Sequence, residues 1–448
     1  MTEFLSPDQY DRAEQRGTEA LPCRAIEFFR PTTFAEVGYP VRIRSIAELW
    51  KYTECMHDGI GLTERMDKYL MSNLLAGGFT DQELNETRIV KEALDDIGRA
   101  AGRPVEYPSS SMILAFNQAR HISCVVPPGS TIVELGGGAG YLGALLTLRG
   151  YRYIATDVTQ VFYILQSQLI GRLSRTRLVD LVDPDLGPSD LASLEPGQAA
   201  LVPWWRWAQR EIPSAVSIDL ATTNHNLLEM HPFCRLYHLS VVRDSLSADA
   251  VGFVFEGWGS PIRNPRWTAV KDFWDLGFEL AHNDTRATCF VPKNAHAADS
   301  VVQYPLPPAA SAERPSVPDP LNEAIGAPSV WRRALSSALR RAVGVDLTKR
   351  LGETFERIEE LWTKVDVSQR NPYEVHFAAP EFSSVRNSVS RAILEMRRQE
   401  RETAHFTLDD YARCFGTTDL ATEDDRFLAY IFRDTPLAQR SASERPMR

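Results

Sequence analysis

The sequence predicts an α/β protein whose core is a doubly wound sheet of seven strands, with helical additions before and after it. Three observations predict this. From Thr131 onward short apolar runs alternate with helical stretches, a glycine-rich turn follows the first of those runs, and both flanking regions keep helical spacing. At 448 residues and 44% hydrophobic content the chain can bury a substantial core and exceeds one ordinary domain.

Residues 1–128 read as a helical cap on the substrate side. Ser45-Ile46-Ala47-Glu48 and Thr80-Asp81-Gln82-Glu83 have the form of a capping box, in which a hydroxyl and a carboxylate satisfy the free amides of a helix start. Ile46, Leu49, Trp50 and Met56 follow the first box, and Leu84, Val90, Leu94 and Ile97 the second, each at roughly helical spacing. Gly102 is placed to stop the second helix.

Residues 129–300 carry the sheet. Strands are expected at Thr131–Leu135, Tyr151–Thr156, Ala199–Pro203, Ala215–Leu220, Ala250–Glu256, Gly277–His282 and Ala287–Val291. Residues 301–330 shift to Pro, Ala and Ser and read as a linker. Residues 331–448 return to helical spacing, with Trp331, Leu335 and Leu339 in one stripe and Phe355, Ile358, Trp362 and Val365 in another. The mostly polar stretch from Leu437 is expected to lack fixed structure.

A formal charge of -10 argues against a surface built to neutralise phosphates, so no nucleic-acid partner and no membrane partner is expected. A small molecule is the expected partner. Arg332-Arg333, Arg340-Arg341 and Lys349-Arg350 form a basic helical face that reads as solvated in so acidic a chain. Cys23, Cys55, Cys124, Cys234, Cys289 and Cys414 are scattered, without a CxxC pair or a His at zinc-finger spacing, so neither structural zinc nor a disulfide framework is expected. Met1 to Asp11 lacks the basic-then-apolar order of a secretion signal, and no apolar run is long enough to span a membrane, which predicts a cytoplasmic location.

Chemistry is concentrated in Glu134-Leu135-Gly136-Gly137-Gly138-Ala139-Gly140, which lies between an apolar strand and the helical Tyr141-Leu142-Gly143-Ala144-Leu145-Leu146. Glycines at 136, 138 and 140 suit a turn that visits positive φ and lets backbone approach a ligand. The next strand ends in Asp157, seventeen residues past Gly140, where a doubly wound fold presents an acid to ribose hydroxyls. Glu134 at the mouth of the loop would repel a pyrophosphate and attract an amino group or a sulfonium, which favours S-adenosyl-L-methionine over NAD. The bland alternatives are a ligand-free turn and a loop acid capping a helix. Trp204-Trp205-Arg206-Trp207 could stack on adenine or simply anchor a core.

On Val133-Glu134-Leu135-Gly136-Gly137-Gly138-Ala139-Gly140-Tyr141-Leu142-Gly143, on Thr156-Asp157-Val158-Thr159-Gln160, and on Thr222-Thr223-Asn224-His225-Asn226-Leu227-Leu228-Glu229-Met230, the chain resembles the sugar O-methyltransferases, a bacterial branch of the class I S-adenosylmethionine-dependent enzymes. The resemblance covers roughly residues 105–294. It implies a Rossmann-like seven-stranded methyltransferase core, cofactor contacts from Glu134, Gly136, Gly138, Gly140 and Asp157, and a sugar hydroxyl or glycosylated small molecule as acceptor.

Methyl transfer to a hydroxyl needs alignment with the sulfonium and removal of a proton. Asn224, His225, Asn226, Glu229 and His231 follow the fourth strand on the ligand side of such a sheet. His225 is the expected general base because imidazole titrates near neutrality, with Glu229 orienting it one helical turn on. Glu229 could instead complete a helix cap begun by Asn226, and His231 before Pro232 could mark a helix start. A divalent metal is compatible with Asp219, His225, Glu229 and Glu256, where magnesium would find hard oxygen ligands, but their spacing does not indicate one. Other readings remain: transfer to nitrogen or a phenolic oxygen, a methyltransferase-fold protein that has lost turnover, and a nicotinamide oxidoreductase.

Overall fold

The computed structural model describes residues 5–19, 42–49, 78–102, 109–174, 178–209, 215–259, 266–283, 286–293 and 384–403, with the single positions Leu21, Phe29 and Leu75. The linker at 301–330, the helical stripes and basic pairs between 331 and 365, and the polar stretch from Leu437 lie outside these residues. So do Trp50, Met56, Cys23, Cys55 and Cys414.

β1 (Thr131–Leu135) is the buried centre of the sheet, apolar except for Thr131 at its start and Glu134 near its end. α1 (Pro7–Glu19), α2 (Asp81–Ala100) and α3 (Ser109–Val125) precede it. After it the chain alternates through α4 (Tyr141–Leu148), β2 (Arg152–Thr156), α5 (Gln160–Leu173), β3 (Val179–Asp180), α6 (Pro188–Ala192), β4 (Ala199–Leu201), α7 (Trp204–Ala208), β5 (Leu220–Thr222), α8 (Pro232–Ser245), β6 (Gly252–Phe255) and α9 (Arg266–Asp275). The hairpin of β7 (Phe278–Asn283) and β8 (Thr288–Pro292) follows, and α10 (Ser384–Thr403) comes last.

The strands lie in the order β3-β4-β2-β1-β5-β6-β8-β7, parallel except that β8 runs antiparallel to both of its neighbours. This is a doubly wound, Rossmann-like α/β fold. Sequence order reverses direction between β1 and β5, which opens the ligand crevice of such sheets beyond their C-terminal ends. In register, Glu134 stands opposite Ala155 on β2 and Thr222 on β5.

Two expectations need correction. Seven strands were expected and eight occur; the extra one is β3, two residues pairing with the edge of β4 and too short to leave a pattern. The fourth expected strand, Ala215–Leu220, begins its ladder five residues late, at Leu220. Its apolar lead-in is only partly covered, and Ile218 makes an isolated bridge to Leu246. Asp219 turns its carboxylate to the N-terminal edge of the sheet, accepting from Thr131 N at 2.8 Å and Ser247 Oγ at 3.1 Å. The later start carries β5 to Thr222, so the loop that reaches the crevice begins at Thr223.

The second capping box forms as its sequence dictates. Glu83 N donates to Thr80 Oγ1 at 3.2 Å and Thr80 N to Glu83 Oε2 at 2.9 Å, and Gly102 follows the helix at φ +68°. At the first box the carboxylate of Glu48 receives Arg44 N, one residue earlier than a Ser45 cap would place it. α3 lies against the sheet, where Gln118 Nε2 donates to Val254 O at 2.8 Å and Thr222 Oγ1 at 3.2 Å. Residues from Tyr10 to Ile393 share one hydrophobic core. Cys124, Cys234 and Cys289 are free thiols. Among the described residues no helix is long and apolar enough to cross a membrane.

Candidate active site

The glycine loop takes the conformation that its spacing demands. Gly136, Gly138 and Gly140 have φ of +70°, +53° and +82°, a region costly for residues with a Cβ. Their surroundings differ. A Cβ on Gly136 would strike the amide of Asn226, and one on Gly137 would stand 2.7 Å from Gln166 Oε1, whereas a Cβ on Gly138 would meet no atom within 4 Å. Open space lies beside Gly138, and the other glycines make room for the protein's own side chains.

Glu134 and Asp157 close the ends of β1 and β2. Glu134, 3% exposed, accepts from the Tyr153 hydroxyl at 2.5 Å and from Asn224 Nδ2 at 3.2 Å. Burial raises its carboxyl to a pKa of about 7, against the pull of those two hydrogen bonds and with a further push from Asp157. Asp157, 7% exposed, accepts Gly138 N at 3.0 Å on one oxygen and Thr159 N at 2.7 Å on the other. Burial raises it to about 6 although the backbone amides oppose the shift. Among the described residues neither acid forms an ion pair, so two buried carboxylates flank the open side of the loop with uncharged partners alone.

The loop after β5 fastens this arrangement. Asn226 Nδ2 donates to the carbonyl of Leu135, and its Oδ1 accepts from Thr223 Oγ1. Asn224 joins three strand ends, donating to Glu134 and Thr222 and accepting Glu256 N at 2.9 Å. Gln166 Nε2 holds Gly138 O at 2.9 Å, leaving its buried Oε1 without a hydrogen-bond partner. Nothing in the sequence pattern marks Tyr153 or Gln166, and the spacing puts Asn224 and Asn226 on the acceptor side. The tight fit at Gly136 and Gly137 is the signal that could have linked Asn226 and Gln166 to the loop.

His225 is the one non-glycine residue among those described with positive φ, at +55°. Its N–H faces the carbonyls of Glu256 and Gly257, both at 3.2 Å. The ring lies against Gly257, where a Cβ would collide with it, yet it keeps an exposed face. Desolvation by the surrounding protein lowers its pKa from the ordinary imidazole value to about 4, so the ring is neutral at pH 7. Glu229 does not share a helix with it. Residues 227–229 form a turn in which Glu229 N donates to Asn226 O, and the Asn226 side chain is committed to the glycine loop rather than to a cap. His231 caps α8, its ring accepting Phe233 N at 3.2 Å just before Pro232.

Glu256 follows β6, its carbonyl facing His225 N at 3.2 Å, and its carboxylate accepts from Asn117 Nδ2 at 2.8 Å. Asp219, at the opposite end of the sheet, cannot converge with His225, Glu229 and Glu256. Among the described residues no three metal-ligating side chains gather. Trp204, Trp205 and Trp207 are buried in the core around α7.

No protein-family model matches the chain, and no curated protein does either. Solved structures with similarity include a TehB-like SAM-dependent methyltransferase from Corynebacterium glutamicum, 17% identical over 39% of this chain and 86% of that one, with a TM-score of 0.26. Another is magnesium protoporphyrin IX methyltransferase from Synechocystis with bound SAM, 11% identical over 54% of this chain and 95% of that one, with a TM-score of 0.25.

Proposed function

We propose that the chain is an S-adenosylmethionine-dependent methyltransferase whose acceptor is a hydroxyl of a sugar or glycosylated small molecule. The observation that carries the cofactor reading is the pair of buried acids without a cationic partner, Glu134 and Asp157, on either side of the open space at Gly138. Carboxylates in such a setting gain most from a ligand that brings positive charge and hydroxyl donors, and they oppose a pyrophosphate. S-adenosylmethionine brings a sulfonium, an ammonium and a ribose. The resemblance at 222–230 supports the sugar acceptor.

When bound, that cofactor supplies an electrophilic methyl group. The protein's residues do the rest. Gly136, Gly138 and Gly140 shape the cradle, Glu134 faces the cationic end and Asp157 the ribose. His225, neutral and exposed, takes the proton from the acceptor hydroxyl. Glu229, in the turn beyond, orients the acceptor or the base, and residues 1–128 complete the acceptor pocket.

Calorimetric titration with S-adenosylmethionine, its demethylated product and NAD tests the first step. The two adenosyl ligands should bind and NAD should not; the reverse order sinks the reading. Screening sugar nucleotides and glycosides by mass spectrometry for a one-methyl gain tests the acceptor.

A further inference from the structure

The glycine loop rests on one side chain of α5. Gln166, 1% exposed, donates from Nε2 to Gly138 O at 2.9 Å. A Cβ on Gly137 would stand 2.7 Å from its Oε1 and one on Gly140 2.8 Å from its Cγ, so the loop meets this residue on both sides of Gly138. Gly138 N in turn donates to Asp157 Oδ2 at 3.0 Å, while Thr159 N reaches the other carboxylate oxygen at 2.7 Å. Gly138 is thus clamped at its C=O by α5 and at its N–H by the acid after β2, although open space lies beside it.

Packing alone does not account for Gln166. Methionine would fill the same place on the helix without burying an amide oxygen that, among the described residues, no donor meets. Nor does Gly138 O depend on the amide for a partner, since Gly138 is only partly covered and borders space where water can serve a carbonyl. What the hydrogen bond fixes is conformation. A glycine released from its partners visits both signs of φ, and Gly138 is held at +53°. If it turned over, its N–H would leave Asp157, and the carboxylate would lose one of the two backbone donors that set its orientation.

We propose that Gln166 is a positioning residue for the cofactor: by holding Gly138 O it keeps Gly138 N on Asp157 and so aims that carboxylate at the ribose hydroxyls. This rests on the adenosylmethionine reading above and extends it to a side chain that acts only through Gly138. The buried, half-satisfied amide is the cost of a loop that is already in its binding conformation when the ligand arrives.

Gln166→Met in the full chain is the test, because it keeps an unbranched side chain of similar length and removes the donor. Without ligand, hydrogen exchange across residues 137–140, followed by mass spectrometry, should be about tenfold faster than in wild type, with the urea midpoint the same or higher. In calorimetry the variant should bind S-adenosylmethionine and its demethylated product three- to tenfold more weakly, and an analogue of that product lacking both ribose hydroxyls within twofold of wild type. Unchanged exchange, wild-type affinity for all three ligands, or an equal loss for all three overturns the proposal. So does a variant that unfolds at lower urea, since Gln166 would then belong to the core. Should the wild type bind no adenosyl ligand, the cofactor reading itself falls, an outcome distinct from a Gln166→Met protein that binds as tightly as wild type.

Discussion

Two clusters of buried acids lie on this fold and are treated in opposite ways. Behind the sheet, Arg120 donates to Glu83 at 2.7 Å and to Glu400 at 3.0 Å, while Arg286 holds Glu400 at 2.7 Å and Asn117 at 3.0 Å. α2, α3, α10 and the β7–β8 hairpin are thereby joined through fully paired charges. At the crevice, Glu134 and Asp157 are as deeply buried but have only hydroxyl, amide and backbone partners. Burial pushes the Glu83 carboxyl upward, but Arg120 and Arg149 outweigh it and leave the pKa lowered; at Glu134 burial wins and the pKa rises. A charge that folding needs comes with its counter-charge, and a charge kept without one is available to a ligand.

The largest effect is expected where the pairing is complete. Arg120→Met removes the nearest counter-charge of Glu83, leaving Arg149 at 3.9 Å, and weakens the hold on Glu400 and Gly78 O, so urea unfolding should show a loss of about 3–5 kcal/mol. Any folded fraction should still bind the cofactor. A loss under about 1 kcal/mol would mean that the network is not the structural counterpart of the crevice.

At the crevice the sign reverses. Because the folded pKa of Glu134 lies above its unfolded value, its contribution to stability is fully present below pH 4.5 and is lost as pH rises to about 7. Glu134→Gln removes the charge that burial penalises. The unliganded variant should therefore be more stable than wild type at pH 8, by on the order of 3 kcal/mol at most, with no gain near pH 4. Cofactor affinity should fall, and the wild type's rise in affinity between pH 6 and pH 8 should flatten. A variant less stable than wild type at pH 8 would place Glu134 with the structural acids.

How much of this could be read from residues alone follows from how local each signal is. The glycine loop, the Thr80 box and six of the seven expected strands rest on neighbours in sequence, and they are where the pattern puts them. Asn224 and Asn226 fasten residues about 90 positions away and Arg120 binds Glu400 across 280, so no spacing rule points to them. Tyr153 reads as one more apolar strand residue until β1 is paired beside it. Asp219 shows the converse: its type suits a metal, but its place at the N-terminal edge of the sheet commits it to Thr131.

His225 offers the finest division between a residue kept for folding and one kept for chemistry. A left-handed backbone costs a residue with a Cβ roughly 1–2 kcal/mol, and glycine adopts it without strain. Part of that gain is offset because glycine has more freedom to lose on folding. His225→Gly should thus leave stability unchanged or raise it by up to about 1 kcal/mol, the smallest shift of the three. Its effect on catalysis should run the other way, since an acceptor alcohol does not ionise unaided at pH 7 and loss of the base should cut turnover by ~10²-fold with cofactor affinity nearly intact. Gains in stability with losses in turnover are the mark of strain retained for function. If turnover holds while stability rises, the strained backbone serves the loop geometry alone, and the proton must leave by another group at this end of the sheet. A substantial loss of stability would show instead that the His225 ring, packed on Gly257, belongs to the core.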